Sequence, residues 1–248
     1  MSQHFLIIGA QRCGTTWLHD VLAAHPQIAM ARPARPEPKV FLSSEAIDAS
    51  TYRSRFFGHA NDECVLGEKS TSYLETPEAP GRVAATLGHP RIVVQLRDPV
   101  DRAVSNWQFS RDHGLENRPL NEAMHADLTR VQPWDQATSS VSPFAYVSRG
   151  HYARDLQRWI DRFEVYVQFL AEVQSDQGRL GPLYQWLGVN ETVRADIGRK
   201  PIHASSPSSE RLDPQLREDL RSHYATSDHA LATLIGRDVP WPTARKAA

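Results

Sequence analysis

Phe5–Leu22, FLIIGAQRCGTTWLHDVL, is the stretch whose reading decides the fold. Phe5-Leu6-Ile7-Ile8 is a short apolar run closed by Gly9, the pattern of a buried strand. From Trp17 the apolar residues fall at Trp17, Leu18, Val21 and Leu22, one face of a helix that His25-Pro26 ends. Between strand and helix lies Gly9-Ala10-Gln11-Arg12-Cys13-Gly14-Thr15-Thr16. Its two glycines have the spacing of a phosphate-binding loop, in which successive backbone N–H groups and a helix N-terminus cradle an anion. Thr15 stands where an NTPase loop carries its lysine, and Arg12 supplies a cation from inside the loop. The loop therefore points away from NTP hydrolysis and toward another phosphorylated nucleotide. The plainer reading is a glycine-containing strand–helix turn that binds nothing.

The chain has 248 residues, enough to bury a full core, and a single domain over residues 1–248 is the expectation. A net charge of -1 gives no overall attraction to nucleic acid, so an anion site has to be local. Cys13 and Cys64 are too few for a disulfide framework or a metal cluster. The N-terminal apolar run is too short for a signal peptide or a membrane span, which predicts a cytoplasmic location.

Beyond the first helix, Gln27–Phe41 contains Pro33, Pro36 and Pro38 and reads as a constrained loop. Glu37 is restricted by proline on both sides, and is either a solvated carboxylate or a functional acid. Cys64–Gly67 reads as a second strand, followed by the polar stretch Glu68–Tyr73 where α/β sheets place ligand contacts. Lys69 in that stretch faces either a ligand or solvent. Arg91–Arg97 is the clearest strand, with Asp98 as N-cap and Pro99 as first residue of the next helix. Arg97 then sits at a strand end beside a helix N-terminus, with Ser105 two turns into that helix. A planar guanidinium there can grip two phosphate oxygens; the competing reading is a structural Arg–Asp pair.

Arg118–Trp134 reads as helix and loop, and Phe144–Gly150 as an irregular connection. Tyr152, Leu156, Trp159 and Phe163 form one helical stripe, expected in the core. Val165–Leu170 reads as a strand, Leu180–Leu187 as a helix stopped by Gly188, and Leu212, Leu216, Leu220 and Tyr224 as one face of a late helix. Arg199–Glu210, with Lys200 and His203, is a polar loop. Strands alternating with helices predict an α/β fold: a P-loop-containing, mostly parallel sheet flanked by helices on both faces.

Together these segments resemble the sulfotransferases that use 3′-phosphoadenosine 5′-phosphosulfate (PAPS), in particular the bacterial and heparan-sulfate-type enzymes. Gln11–Leu18 resembles their 5′-phosphosulfate motif, K-x-G-T-T-x-L, with Arg12 at the lysine position and its charge kept. Leu96–Ser105 resembles the 3′-phosphate motif, L-R-N/D-P-x-x-R-x-x-S, in which the positions of Arg97 and Ser105 hold the phosphate. Pro36–Phe41 is similar to K-E-P-x-F-F, whose glutamate, here Glu37, is the proposed general base; Pro36 and Lys39 depart from that pattern. Gly67–Leu74 looks like G-E-K-T-P-x-Y-L, whose lysine, here Lys69, lies beside the reacting groups. Arg149–Phe163 resembles R-G-x-Y-x-x-x-L-x-x-W-x-x-x-F. The late glycine-rich donor loop has no clear counterpart, with Lys200–Ser208 in its place.

The resemblance implies Glu37, Arg12 and Lys69 as catalytic residues. It implies donor contacts from Gln11, Arg12, Cys13, Gly14, Thr15, Thr16, Trp17, Arg97 and Ser105. PAPS would be the donor, 3′-phosphoadenosine 5′-phosphate (PAP) the product, no metal is required, and the acceptor would be a small-molecule or glycan hydroxyl. Pro33–Pro38 and the aromatics Trp107, Phe109, Trp134, Phe144 and Tyr146 either wall a cleft over the donor or, for the aromatics, are ordinary core. The rivals are a P-loop kinase or other NTP-binding enzyme, and a non-catalytic nucleotide-binding module.

Overall fold

The computed structural model describes residues 3–61, 64–130, 132–134, 142–194 and 210–243. Lys200–Ser208, including His203, lies outside the described residues. The chain divides into two compact units, Met1–Leu96 with Asp155–Ile202, and Arg97–Arg154 with His203–Ala248.

The first unit is built on β1 (His4–Gly9), β2 (Ile28–Met30), β3 (Val65–Lys69), β4 (Arg91–Leu96) and β5 (Val165–Phe169). They form one sheet in the order β2-β3-β1-β4-β5, with every neighbouring pair parallel. A parallel sheet needs a crossover for each connection and is covered on both faces, so its strands are apolar throughout. Phe5, Leu6, Ile7 and Ile8 accordingly expose 1% or less of their surface. Phe5 and Ile7 pack with Leu18, Val21 and Leu22 of α1 (Thr15–Ala23). On the opposite side of the pleat, His4 meets the rings of Tyr52 and Phe57 from α2 (Ala49–Phe57). Each fully buried aliphatic side chain of this kind is worth about 1.5–3 kcal/mol relative to exposure.

The chain leaves β1 toward β2 on one side of the sheet, whereas the chain leaving β4 returns as β5 on the other. The carboxyl ends of β1 and β4 therefore flank a topological switch point, where open α/β sheets bind ligands.

Three local expectations change, and two helices lie where no element was read. Gln27–Phe41 is not all loop, because Ile28–Met30 adds a short edge strand, β2, paired with β3. β3 runs on through Glu68 and Lys69, which the polar residue types had suggested were loop. The α2 and α3 (Ala79–Leu87) helices occupy stretches without a strong apolar periodicity. Leu170 opens a short helix instead of ending a strand.

The second unit contains α4 (Pro99–Asp112), α5 (Leu120–Thr129), the first residues of α6 (Tyr152–Ile160) and α9 (Pro214–Ile235). The remaining helices, α7 (Leu170–Ser175) and α8 (Gly181–Leu187), belong to the first unit. Val100, Ala103 and Trp107 of α4 share a core with Leu120 and Met124 of α5 and with Leu216, Leu220 and Tyr224 of α9. Gly150 lies directly under the Tyr224 ring, where a Cβ would come within 2.5 Å of a ring carbon. The R-G-x-Y stretch needs its glycine for that close approach.

Two of the five aromatics take the core reading. Trp107 and Tyr146 are core residues, 1% and 0% exposed. Their polar atoms are used internally, Trp107 Nε1 donating to Arg118 O at 3.1 Å and the Tyr146 hydroxyl to Glu116 Oε2 at 3.0 Å. Phe144 packs partly buried against the same core. Trp134 is half-buried, and Phe109 is open to solvent, its ring tilted against His113 with centroids 4.0 Å apart. No helix among the described residues is long and apolar enough to cross a membrane.

Candidate active site

The loop after β1 is shaped to present backbone N–H groups. Arg12 and Gly14 both adopt positive φ, 66° and 74°, so the chain turns sharply twice before entering α1. A side chain at position 14 would also collide with Leu170, 2.6 Å from a Cβ placed there. The loop is tied down from inside the sheet. Ala10 N donates to Gln95 O at 2.9 Å, and Gln95 Nε2 donates to Cys13 O at 2.6 Å. Gln168 Nε2 in turn donates to Gln95 Oε1 at 2.6 Å, orienting that amide. Gln11 reaches sideways, its Nε2 donating to Glu75 Oε1 at 2.9 Å.

An α-helix leaves its first N–H groups without intrahelical partners, and three of the helices here cover them with aspartate. Asp48, Asp98 and Asp213 cap α2, α4 and α9 in that way. α1 has Gly14 at its N-cap, no side-chain cap and no acid in its first turn. The first-turn N–H groups, the positive end of the helix dipole and the Arg12 guanidinium next to it in the chain fit a phosphate or sulfate group. Cys13 and Thr15 are buried at 0% and 5% exposure, so they offer a ligand their backbone rather than their side chains. Trp17 leans on the α1 core and is half-buried.

Glu37 and Lys69 are brought together in the same unit. Lys69 Nζ forms an ion pair with Glu37 Oε1, and both side chains are largely buried. Thr71 adds its backbone N–H to Glu37 Oε2 at 3.1 Å, and its hydroxyl lies 3.2 Å from the same oxygen. The proline-rich segment is stitched to the exit of β3 along its length. Lys39 N donates to Ser70 Oγ at 2.9 Å and Phe41 N to the Tyr73 hydroxyl at 3.2 Å. Glu37 thus projects from a strap tied down just beyond it, which fixes its carboxylate better than an exposed loop could.

Glu68, the adjacent acid, has a different role. It is 0% exposed, and its two oxygens accept from Ser70 Oγ and from the Tyr52 hydroxyl. Burial pushes its carboxyl upward against those bonds. It serves as the buried hub from which Ser70 reaches the strap. His59 is exposed, with burial and Arg32 lowering its basicity.

Arg97 and Ser105 belong to the second unit. Arg97 follows the last residue of β4, and its carbonyl accepts from the Tyr152 hydroxyl at 2.8 Å. Asp98 caps α4 as the sequence predicts, accepting from Val100 N at 2.9 Å and Asp101 N at 3.4 Å. Ser105 is half-buried on α4. Among the described residues no group of three or more His, Cys, Asp or Glu side chains is placed to hold a metal ion.

One buried acid of this unit makes stability depend on pH. Asp228 is 1% exposed, accepts from Trp241 Nε1 at 3.1 Å, and leaves Oδ1 without a partner. Burial and the nearby Asp98 push its carboxyl up to about 6, while Trp241, Arg221 and His229 oppose the shift. The folded protein then holds a proton that the unfolded chain, near 3.8, has released. Stability is full below the unfolded value and falls as pH rises through about 6, by on the order of 2–3 kcal/mol from this group. Thermal unfolding at acid and neutral pH should show that slope flattened in Asp228→Asn. An unchanged slope would place the titration elsewhere.

Two side chains essential to this geometry escaped the sequence reading. Gln95 was hidden in the strand RIVVQL, although an amide in an otherwise apolar run is itself a sign of an internal polar task. Thr71 is one of several hydroxyls in a row and carries no distinguishing mark in the sequence.

The chain matches the model of the Sulfotransferase domain over residues 2–170. It is 29% identical to the human bifunctional heparan sulfate N-deacetylase/N-sulfotransferase 2, over 77% of this chain and 23% of that protein. It is 24% identical to human heparan sulfate glucosamine 3-O-sulfotransferase 3B1, over 95% of this chain and 64% of that protein. The chain thus spans about a quarter of the first relative and under two thirds of the second. Among solved structures, a sulfotransferase from Alicyclobacillus acidocaldarius superposes with a TM-score of 0.76 at 25% identity, covering 96% of this chain and 98% of that one. The sulfotransferase domain of the curacin biosynthetic pathway shares the fold, with a TM-score of 0.53 at 13% identity, covering 97% and 99%. With a parallel α/β sheet and a family match over most of its length, the chain belongs to the sulfotransferase family, whose members take their sulfuryl group from PAPS.

Proposed function

We propose that this chain transfers a sulfuryl group from PAPS to a hydroxyl of a small molecule or glycan, with Glu37 as general base. The observation that carries the reading is the Glu37–Lys69–Thr71 cluster, held in the same unit as an uncapped α1 and Arg12. PAPS, when bound, supplies an activated sulfuryl group and a phosphate leaving group. The backbone of Gln11–Trp17 and the Arg12 guanidinium would hold the 5′-phosphosulfate, and Arg97 and Ser105 the 3′-phosphate. Sulfuryl transfer, like phosphoryl transfer, spreads charge over equatorial oxygens, and fixed cations and N–H groups stabilise that charge. Arg12 and Lys69 are the cations assigned to it. Glu37 would take the acceptor's proton: a carboxylate offers about four lone-pair sites, and Lys69 with Thr71 leaves room for another donor.

The glycan half of the proposal is supported by the relatives named for heparan sulfate. Their names divide between N- and O-transfer, so acceptor screens should include amines beside hydroxyls. The same reading treats residues 1–248 as one sulfotransferase domain and places it in the cytoplasm.

The test is transfer of label from [³⁵S]PAPS to a panel of glycans and small hydroxylated molecules, read by mass spectrometry. Because chain cations carry the charge balance, transfer should persist in excess EDTA. Loss on chelation with recovery on Mg²⁺ would favour a kinase-type site. PAP binding without transfer to any acceptor would favour a non-catalytic module.

A further inference from the structure

The turn that carries Arg97 is gripped from two directions, and one grip comes from far along the chain. Asp98 already has a local task as the N-cap of α4, which two backbone N–H groups satisfy. The same carboxylate also takes both terminal nitrogens of Arg221, a residue of α9. Arg221 NH1 donates to Asp98 Oδ1 at 2.8 Å, and NH2 donates to Oδ2. The fork is 9% exposed and its carboxylate 15%, so this is a sheltered bidentate pair and not a surface contact. Such geometry fixes direction as well as distance, which a lysine could not do.

The second grip is the Tyr152 hydroxyl on the Arg97 carbonyl, at 2.8 Å. The two grips are joined behind the turn. Tyr152 meets the Trp241 ring at 6.3 Å, and Trp241 Nε1 bonds to Asp228. Asp228 lies two turns beyond Arg221 on the buried face of α9. Contacts therefore run in a closed circuit from Arg97 through Tyr152, Trp241 and α9 back to Asp98. A helix cap alone would need none of this. What the circuit immobilises is the backbone at Arg97, and hence the line along which its side chain leaves the chain.

We propose that Arg221 is a positioning residue for donor recognition: by clamping Asp98 it aims Arg97 at the 3′-phosphate. The inference rests on the donor assignment made above. It gives α9 a part in nucleotide selectivity without any contact with the nucleotide.

The experiment is calorimetry of PAP and of AMP on the full chain and its variants, with steady-state kinetics in PAPS. Arg221→Met removes the fork and keeps the stem. PAP should weaken by about tenfold, with AMP nearly unchanged, because only the 3′-phosphate contact is misaimed. The KM for PAPS should rise by a similar factor while kcat at saturation stays close to that of the parent. Arg221→Lys keeps the charge and should recover only part of the loss. Asp98→Asn keeps the N-cap and removes the ionic partner, so it should reproduce Arg221→Met. The double variant should lose no more than either single one.

If the unaltered chain itself fails to prefer PAP over AMP, the donor assignment falls. If it does prefer PAP and the folded Arg221→Met variant keeps the full preference, the positioning role is overturned. Should that variant not fold, Asp98→Asn decides alone, and an undiminished preference in it has the same consequence. A loss of stability with PAP and AMP weakened equally would make the clamp a scaffold only and would equally overturn the proposal.

Discussion

Glu37→Gln is expected to lower the turnover number by about 10²-fold or more while PAP affinity changes little. Glutamine keeps the size of the side chain and can still accept from Thr71 N, now 3.1 Å from a carboxylate oxygen. It cannot accept a proton from an attacking hydroxyl. The substitution also frees Lys69 from its ionic partner, and that separates two effects. If Glu37 acts as base, the deficit should appear in the chemical step and persist at saturating donor and acceptor. If Glu37 only restrains Lys69, the defect should be small, and Lys69→Ala should be the more damaging change. Single-turnover kinetics distinguish these outcomes. Near-normal turnover would end the assignment of Glu37, and the neighbouring acid is a poor replacement. Glu68 is wholly buried and already accepts from Ser70 and Tyr52.

Arg97→Ala is expected to erase most of the preference for PAP over AMP, a loss of tenfold or more at about 1.5–3 kcal/mol per charge-assisted bond. The substitution leaves the Arg97 carbonyl on Tyr152 and the Asp98 cap intact, since neither uses the side chain. The folded state should therefore survive, and the loss should fall on the 3′-phosphate alone. Equal affinity of the unaltered chain for PAP and AMP would remove the 3′-phosphate site from this arginine.

The sheet was legible because the forces that build it are local in sequence. A strand buried on both faces must be a continuous apolar run, and FLII and RIVVQL can be little else. Asp98-Pro99 announces a helix start through the chemistry of its first turn, and α4 begins at Pro99 as expected. β2 was not legible: three residues on an edge carry too little pattern to separate them from the proline-rich loop they enter. At the candidate site, the residues bearing charge stood out and their supports did not. Glu37 and Lys69 were visible as charged residues in constrained places, and the structure joins them. Gln95, Thr71 and Arg221 act through partners distant in the chain, and no spacing rule reaches that far. The two readings of the aromatics could not be separated for a related reason. Ring side chains are as useful in a core as around a ligand, and Trp107 and Tyr146 went to the core.

The pairing of β4 with β5 carries a consequence for how the chain is made. Ile92 pairs with Val165 and Leu96 with Phe169, yet the whole of Arg97–Arg154 lies between the two strands. On a ribosome, β4 emerges long before its outer neighbour, and its open edge has to wait while most of another compact unit is synthesised. Closing so long a loop adds little to the equilibrium cost, which grows only logarithmically with length, but it delays the contact. An unpaired apolar edge during that delay is a site for mispairing between chains. Completion of the sheet is thus tied to the arrival of VYVQF at Val165–Phe169, and slow translation before that point prolongs the vulnerable state.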